Sequence, residues 1–176
     1  MGVRKTLDIV EIRDAKLSVA EAGSGRPLLL VHGWPELAYS WKNQINVLAE
    51  AGYRVIAPDL RGFGGSDCPE GPDAYNIDTL IADLTGLLDA LGHEKAVWIG
   101  HDWGGIITWH AAMLAADRFD GVIGVNTPHL PRGAQPPTEA FHDLGGDNHY
   151  ILQFQEPGRA EKCFDGKEDA FFAFIF

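Results

Sequence analysis

The sequence predicts an α/β fold in which a mostly parallel sheet carries helices on both faces and the start of a helical subdomain follows. Short apolar runs of strand length alternate along the chain with segments whose apolar residues recur at helical spacing. Hydrophobic residues make up 45% and charged residues 22% of the 176 residues, a composition that supports a buried core and argues against disorder. The alternation stops at Asn126, so we expect a core over residues 1–126 and a second subdomain over residues 127–176.

Four strands are predicted in the first third of the chain. Two carry alternating apolar residues and form a hairpin, and two are apolar throughout, as in strands covered on both faces. In chain order they span residues 7–12, 16–22, 27–31 and 53–58. A helix over residues 39–51 precedes the fourth strand. Trp41, Ile45 and Leu48 form its apolar stripe, and Gly52 suits its end.

The middle of the chain contains a helix with clear start and stop signals. Asn76 is suited to cap it and Gly92 to end it. Its apolar residues recur at helical spacing at Ile77, Leu80, Ile81, Leu84, Leu87, Leu88 and Leu91. The preceding connection, residues 59–75, is long and rich in glycine and proline, which is typical of functional loops.

The remaining predicted elements complete the α/β pattern and begin the second subdomain. Buried strands are predicted over residues 96–100 and 121–125, with a helix over residues 106–116 between them. After a proline-rich segment, helices with aromatic faces are predicted over residues 150–161 and 168–176. The chain therefore changes from alternating strands and helices to helices alone.

Charge and cysteine content limit the partners and the compartment. Fourteen Lys and Arg residues against twenty-five Asp and Glu residues give a net charge of −11, which repels nucleic acid and anionic lipid. The amino terminus has no apolar signal segment, so we expect a cytoplasmic protein that does not bind membranes. Cys68 and Cys163 have no metal-ligand spacing, and we predict neither a metal nor a cofactor. The sequence leaves open whether the chain forms a homodimer.

The segment Gly-His-Asp-Trp-Gly at residues 100–104 has the pattern of a nucleophile elbow. It lies between a predicted buried strand and a helix, with a glycine two residues to either side of Asp102. The glycines allow the strand and helix to pass closely while the carboxylate is presented at the carboxyl end of the strand. Such a carboxylate attacks without a general base. The alternative, in which Asp102 only caps the helix, stays open on this segment alone.

A second motif, HGWPE at residues 32–36, follows an earlier predicted strand. The backbone amides of Trp34 and Trp103 are expected to converge and form an oxyanion hole. The motif is also consistent with a simple turn at Gly33 and Pro35. His32 precedes the turn, so we expect a structural, hydrogen-bonded histidine there and not a catalytic base.

Four segments together resemble the epoxide hydrolase family of α/β-hydrolases, and the resemblance covers nearly the whole chain. They are HGWPE at 32–36, PDLRGFGGSD at 58–67, GHDWGG at 100–105 and YILQFQEPGRAE at 150–161. The resemblance implies that Asp102 attacks an epoxide carbon to form an alkyl-enzyme ester, which water then hydrolyses while the amides of Trp34 and Trp103 stabilise the oxyanion. It also implies an α/β-hydrolase sheet followed by the start of a helical cap.

The resemblance further assigns Tyr150, in the cap, as the donor of a hydrogen bond to the epoxide oxygen. Without the FQEPG context, packing under its own helix would be the better interpretation of Tyr150. Four residues, Trp34, Pro35, Trp103 and Phe154, are expected to line an apolar pocket. The expected partners are therefore a small hydrophobic epoxide and water, although the particular epoxide and its stereochemistry are not determined by the sequence.

Several parts that the family uses have no match in the sequence. The family takes its base from a histidine after a late strand, with an acid partner and a second cap tyrosine. None of the histidines outside the HGWPE motif follows a late strand: His93, His101, His110, His129, His142 and His149. We therefore expect the amino-terminal portion of an epoxide hydrolase, truncated before the base and lacking the carboxyl-terminal strands of the sheet.

Two alternative functions stay open. One is a haloalkane or haloacetate dehalogenase that uses the same aspartate. Haloalkane-type members have Asn at the position of Trp34, and haloacetate-type members have Arg at the position of Trp103, which counts against both. The other is a non-catalytic fragment that binds ligands without reacting with them.

Overall fold

The computed structural model describes residues 5–131 and 133–175. Within this part of the chain one sheet contains six strands: β1 (Lys5–Glu11), β2 (Lys16–Gly23), β3 (Pro27–Val31), β4 (Arg54–Pro58), β5 (Ala96–His101) and β6 (Phe119–Val125). Their order across the sheet is β1-β2-β4-β3-β5-β6. Strand β2 pairs antiparallel with β1 and β4, and the other pairs are parallel. The mostly parallel sheet that the sequence predicts is therefore confirmed.

Three α-helices accompany the sheet: α1 (Lys42–Glu50), α2 (Ile77–Ala90) and α3 (Trp103–Leu114). Alternate residues of the central strands point to opposite faces, as the twofold period of a strand requires. On one face, Leu29 and Val31 pack with the buried residues of α2 and α3. On the other face, Leu30 packs with Ile45 of α1. The sheet consequently carries helices on both faces.

Most predicted elements of the first 125 residues are confirmed, with small shifts at their ends. The Asn76 side chain accepts a hydrogen bond from the Thr79 N–H and caps α2 as expected. The predicted helix over residues 39–51 begins instead with a 3₁₀ turn, Ala38–Trp41. The helix predicted over 106–116 begins earlier, because α3 starts at Trp103, directly after the elbow residue.

In the described part of the chain four short α-helices follow the sheet: α4 (Pro137–Gly145), α5 (Tyr150–Gln153), α6 (Arg159–Phe164) and α7 (Glu168–Ile175). The continuous helix predicted over residues 150–161 is wrong. It breaks between α5 and α6, where Pro157 lacks an N–H donor and Gly158 adopts a left-handed φ of 78°. The helix predicted over 168–176 is confirmed as far as Ile175, and Phe176 lies outside the described residues.

The chain divides into two compact units, Met1–His129 and Leu130–Phe176. The predicted division between residues 126 and 127 lies slightly before this one. The first unit contains the sheet and α1 to α3, and the second contains α4 to α7. No helix of the described residues is long and apolar enough to span a bilayer.

Candidate active site

Asp102 occupies a strained turn between β5 and α3. Its backbone has φ 53° and ψ −124°, a conformation that residues with a side chain rarely adopt. The flanking glycines are required by close packing. A Cβ at Gly100 would lie 2.3 Å from the Gly104 carbonyl oxygen, and a Cβ at Gly104 would lie 2.2 Å from the Val31 carbonyl oxygen. The elbow geometry therefore depends on the absence of a side chain at both positions.

The side chain of Asp102 does not cap α3. Asp102 is the residue that precedes α3, yet its carboxylate makes no capping hydrogen bond to that helix. Instead, its Oδ1 accepts a hydrogen bond of 2.9 Å from the Trp34 N–H. The alternative in which Asp102 only caps the helix is therefore wrong.

Gly33 allows the HGWPE loop to reach the carboxylate. A Cβ at Gly33 would lie 2.4 Å from the Asp102 Cβ and 2.6 Å from its Oδ1. Both distances are shorter than any normal contact, so only glycine lets the loop bring the Trp34 amide to Oδ1. Trp103 opens α3, and its N–H is one of the first four of the helix, which have no partner within the helix.

His32 lies beneath the loop and is fully buried. Its Nε2 accepts a hydrogen bond from the Leu60 N–H at 2.9 Å, and its Nδ1–H donates to the Gly33 carbonyl at 2.8 Å. Burial lowers the pKa of His32 below the usual value, so the neutral form is favoured. The expectation of a structural histidine at this position is confirmed by these contacts.

An apolar cavity of about 210 Å³ lies beside the two tryptophans. Its lining consists of Gly33, Trp34, Leu60, Arg61, Phe63, Tyr75, Leu80, Trp103 and Ile107. Trp34 and Trp103 were expected there. Pro35, which was also expected to line the pocket, does not line this cavity. The sequence interpretation missed Phe63 and Tyr75, although both lie in the long connection over residues 59–75 that it marked as functional.

Tyr75 contributes a phenol to the cavity wall. Its hydroxyl donates a hydrogen bond of 2.7 Å to the Pro69 carbonyl and lies 3.6 Å from the Cys68 sulfur. Burial raises the pKa of Tyr75 to about 12, and the hydrogen bond to the Cys68 sulfur and the charge of that sulfur act in the same direction. The phenol therefore stays protonated over the whole neutral range.

A family model described as "alpha/beta hydrolase fold" matches residues 26–157. The chain belongs to the α/β-hydrolase fold family. The matched range includes the HGWPE loop, the elbow and the first helices of the second unit.

Similar proteins of this family are named epoxide hydrolases. Epoxide hydrolase A of Mycobacterium tuberculosis is 53% identical over 161 residues, which are 90% of this chain and 50% of that protein. Epoxide hydrolase 3 of Siraitia grosvenorii is 44% identical over 85% of this chain and 48% of its own length. The chain thus spans about half the length of these curated relatives.

Solved structures of epoxide hydrolases have the same fold. Epoxide hydrolase A from Mycobacterium thermoresistibile superimposes with a TM-score of 0.89 at 49% identity, covering 94% of this chain and 53% of that one. An epoxide hydrolase from Vigna radiata gives a TM-score of 0.90 at 37% identity, covering 97% of this chain and 56% of that one.

Two polar pairs of this chain were not predicted from the sequence. The His101 Nδ1–H donates a 3.0 Å hydrogen bond to Glu36 Oε2, which links the residue before Asp102 to the HGWPE loop. Arg61 forms two hydrogen bonds with Asp83, at 2.6 and 2.7 Å, and their side chains are only 7% and 6% exposed. These hydrogen bonds raise the pKa of Arg61 above its usual value. Only the helical pattern around Asp83 was visible in the sequence, and it gave no sign of the pair.

Tyr150 and Phe154 both belong to the second unit, Leu130–Phe176. Tyr150 opens α5, and its ring stacks on His149 with the centroids 5.3 Å apart. Phe154 meets Tyr150 edge to face at 5.7 Å. Within their own unit the two residues are part of one aromatic cluster. Their roles as acid and as pocket residue remain predictions.

Proposed function

We propose that this chain carries the nucleophilic half of an epoxide hydrolase site, with Asp102 as the attacking group. The observation that carries the proposal is the Asp102 carboxylate on the strained elbow, with Oδ1 held 2.9 Å from the Trp34 N–H. That contact fixes one carboxylate oxygen and leaves Oδ2 as the oxygen for attack. The names of the similar proteins support the same reaction class.

The first step opens the epoxide ring. Asp102 Oδ2 forms a bond to an epoxide carbon while the bond from that carbon to the ring oxygen breaks. The ring oxygen keeps the electron pair and takes a proton, for which we propose the Tyr150 phenol as donor. The product is an ester between Asp102 and the opened substrate, so the whole mass of the epoxide is retained.

The second step hydrolyses the ester. Water attacks the Asp102 carbonyl carbon, and negative charge develops on Oδ1, the oxygen that the Trp34 N–H already contacts. We propose the Trp103 N–H as the second donor to this oxyanion. Collapse of the intermediate breaks the bond between the carbonyl carbon and Oδ2, which leaves as the second hydroxyl of the diol with one proton of the water. The other water proton goes to the Tyr150 phenolate left by the first step, so the carboxylate and the phenol are both restored. We assign no described histidine to the activation of this water. His32 is fully buried with both ring nitrogens in hydrogen bonds, and the remaining histidines lack the position after a late strand that the family uses.

The substrate we propose is a small hydrophobic epoxide. The cavity beside Trp34 and Trp103 is lined mainly by apolar side chains, and only a few polar groups face it. An apolar substituent placed there would lie beside the elbow and the HGWPE loop. A strongly charged epoxide would lose its hydration in this cavity. The one charged group among the described lining residues is Arg61, and Asp83 already neutralises it.

Mass spectrometry of the intact protein after incubation with styrene oxide tests the proposal. We expect a mass gain equal to the whole epoxide, which peptide mapping locates on Asp102. Asp102→Asn should abolish this adduct, whereas Asp78→Asn, at the exposed start of α2, should leave it unchanged. A folded wild-type chain without an adduct would support the ligand-binding alternative. Halide release from a chloroalkane, with no epoxide adduct, would support the dehalogenase alternative.

A further inference from the structure

The segment that follows β6 packs directly against the nucleophile elbow. Asn126 turns the chain with a left-handed φ of 55°, which places Thr127 beside the start of α3. A Cβ at Gly105 would lie 2.6 Å from the Thr127 Cβ, so glycine at position 105 leaves the room that the Thr127 side chain occupies. The Trp109 indole N–H donates a 2.8 Å hydrogen bond to the Thr127 carbonyl. Thr127 is therefore held in place from both sides.

The Thr127 hydroxyl contacts the backbone of the nucleophile. Its Oγ1 lies 3.3 Å from the Asp102 carbonyl oxygen and 3.3 Å from the Val125 carbonyl oxygen, so its single proton is shared between two long hydrogen bonds. The Asp102 carbonyl also accepts hydrogen bonds from the Gly105 and Ile106 N–H groups of α3. Among the described residues, Thr127 makes the hydrogen bond to this carbonyl that comes from outside the helix.

The Asp102 carbonyl and the Trp103 N–H belong to one planar peptide group. Any donor that fixes the direction of the carbonyl also fixes the direction of the N–H on the opposite side of that plane. The plane is otherwise under strain, because Asp102 holds φ 53° and ψ −124°. A hydrogen bond to the carbonyl consequently resists rotation of this peptide group and of its Trp103 N–H.

We infer that Thr127 is a positioning residue, which orients the Trp103 N–H as an oxyanion donor by binding the other end of the same peptide group. The inference rests on the proposed role of Trp103 in ester hydrolysis. Because the oxyanion forms only when the ester is attacked, the loss of the Thr127 hydroxyl should slow ester cleavage more than ester formation.

Residual dipolar couplings test the orientation without any substrate chemistry. We would measure the one-bond N–H coupling of Trp103 in the wild-type chain and in Thr127→Val, Thr127→Ala and Thr127→Ser. The couplings of β3 and β5 define the alignment and report whether each variant keeps the fold. We expect the Trp103 coupling to change in the Val and Ala variants and to stay at the wild-type value in the Ser variant. An unchanged coupling in folded Val or Ala protein would overturn the inference.

Single-turnover kinetics test the consequence. After styrene oxide has formed the Asp102 ester, hydroxylamine cleaves it by attack on the same carbonyl carbon and needs no protein base. We expect Thr127→Val to slow this cleavage about two- to tenfold, the range for one lost hydrogen bond, and to change ester formation less than twofold, with Thr127→Ser near wild type. Equal slowing of both steps would overturn the inference. If the wild-type chain forms no ester, the proposed function fails while the coupling measurement still decides the orientation.

Discussion

Gly33→Ala is the substitution that probes the position of the Asp102 carboxylate most directly. The added Cβ would meet the Asp102 Cβ at 2.4 Å and its Oδ1 at 2.6 Å. The Asp102 Cβ is attached to a backbone that Gly100 and Gly104 hold in place, so the strain cannot be relieved by rotating a flexible side chain. The HGWPE loop must instead move away, and the Trp34 N–H then leaves Oδ1.

The expected effect has two measurable parts. Overpacking at this site should lower the free energy of unfolding by about 1–3 kcal/mol, measured by urea denaturation. Without the Trp34 N–H contact the Asp102 carboxylate is free to rotate, and a misplacement of its attacking oxygen by about 1 Å should slow adduct formation with styrene oxide by about 100-fold, measured from the intact mass over time.

Gly86→Ala in α2 is the matched control. A Cβ there meets only the Ile12 Cβ, at an ordinary distance of 3.7 Å. Because alanine favours a helix, this variant should gain about 0.5–1 kcal/mol of stability and keep the wild-type adduct rate. If Gly33→Ala formed the adduct within threefold of the wild-type rate, the close approach of the loop to Asp102 would not be needed for attack.

Three further predictions concern the polar groups around the site. Asp83→Ala should lower the free energy of unfolding by about 3–5 kcal/mol in urea, because it leaves the Arg61 guanidinium buried and unpaired, and the double variant with Arg61→Met should recover much of the loss. Since the folded chain lowers the pKa of His32, the unfolded chain binds more protons once the pH falls below the ordinary value of 6.5. The free energy of unfolding should therefore keep its full value above pH 6.5 and fall as the pH drops below 6.5. The fall should be smaller in His32→Gln than in the wild-type chain when both are measured by urea titration at several pH values. Glu36→Ala should cost about 1–3 kcal/mol by removing the acceptor for the His101 ring, whereas Glu36→Gln, which keeps an acceptor, should cost less in the same assay.

The parts of the fold that the sequence predicts well depend on local signals. Asn76 and Gly92 mark the ends of one helical region, and the apolar spacing between them defines its buried face, so α2 is found with little error. The elbow is found for a similar reason, because the glycines at 100 and 104 are adjacent in sequence to the residue they serve. Helix α4 was missed although Pro137 lies at its first turn, as is common at helix starts.

Other features depend on contacts that are distant in the sequence. Asp83 lies on a helix and gives no sequence sign that its carboxylate is buried against Arg61, 22 residues earlier. Phe63 and Tyr75 reach the cavity from an irregular connection, where no periodicity reveals which side chains point inward. Thr127 contacts the elbow only because β6 pairs beside β5 in the sheet. Such residues become visible only when the strand order is known.

The described hydrogen bonds that fix Asp102 come from the HGWPE loop, from α3 and from the turn after β6, all of which belong to the unit Met1–His129. Mutational libraries confined to residues 133–175 can therefore diversify the helical unit without removing any of these supports. The position of the Asp102 carboxylate can therefore be inherited unchanged while the sequence of the second unit varies.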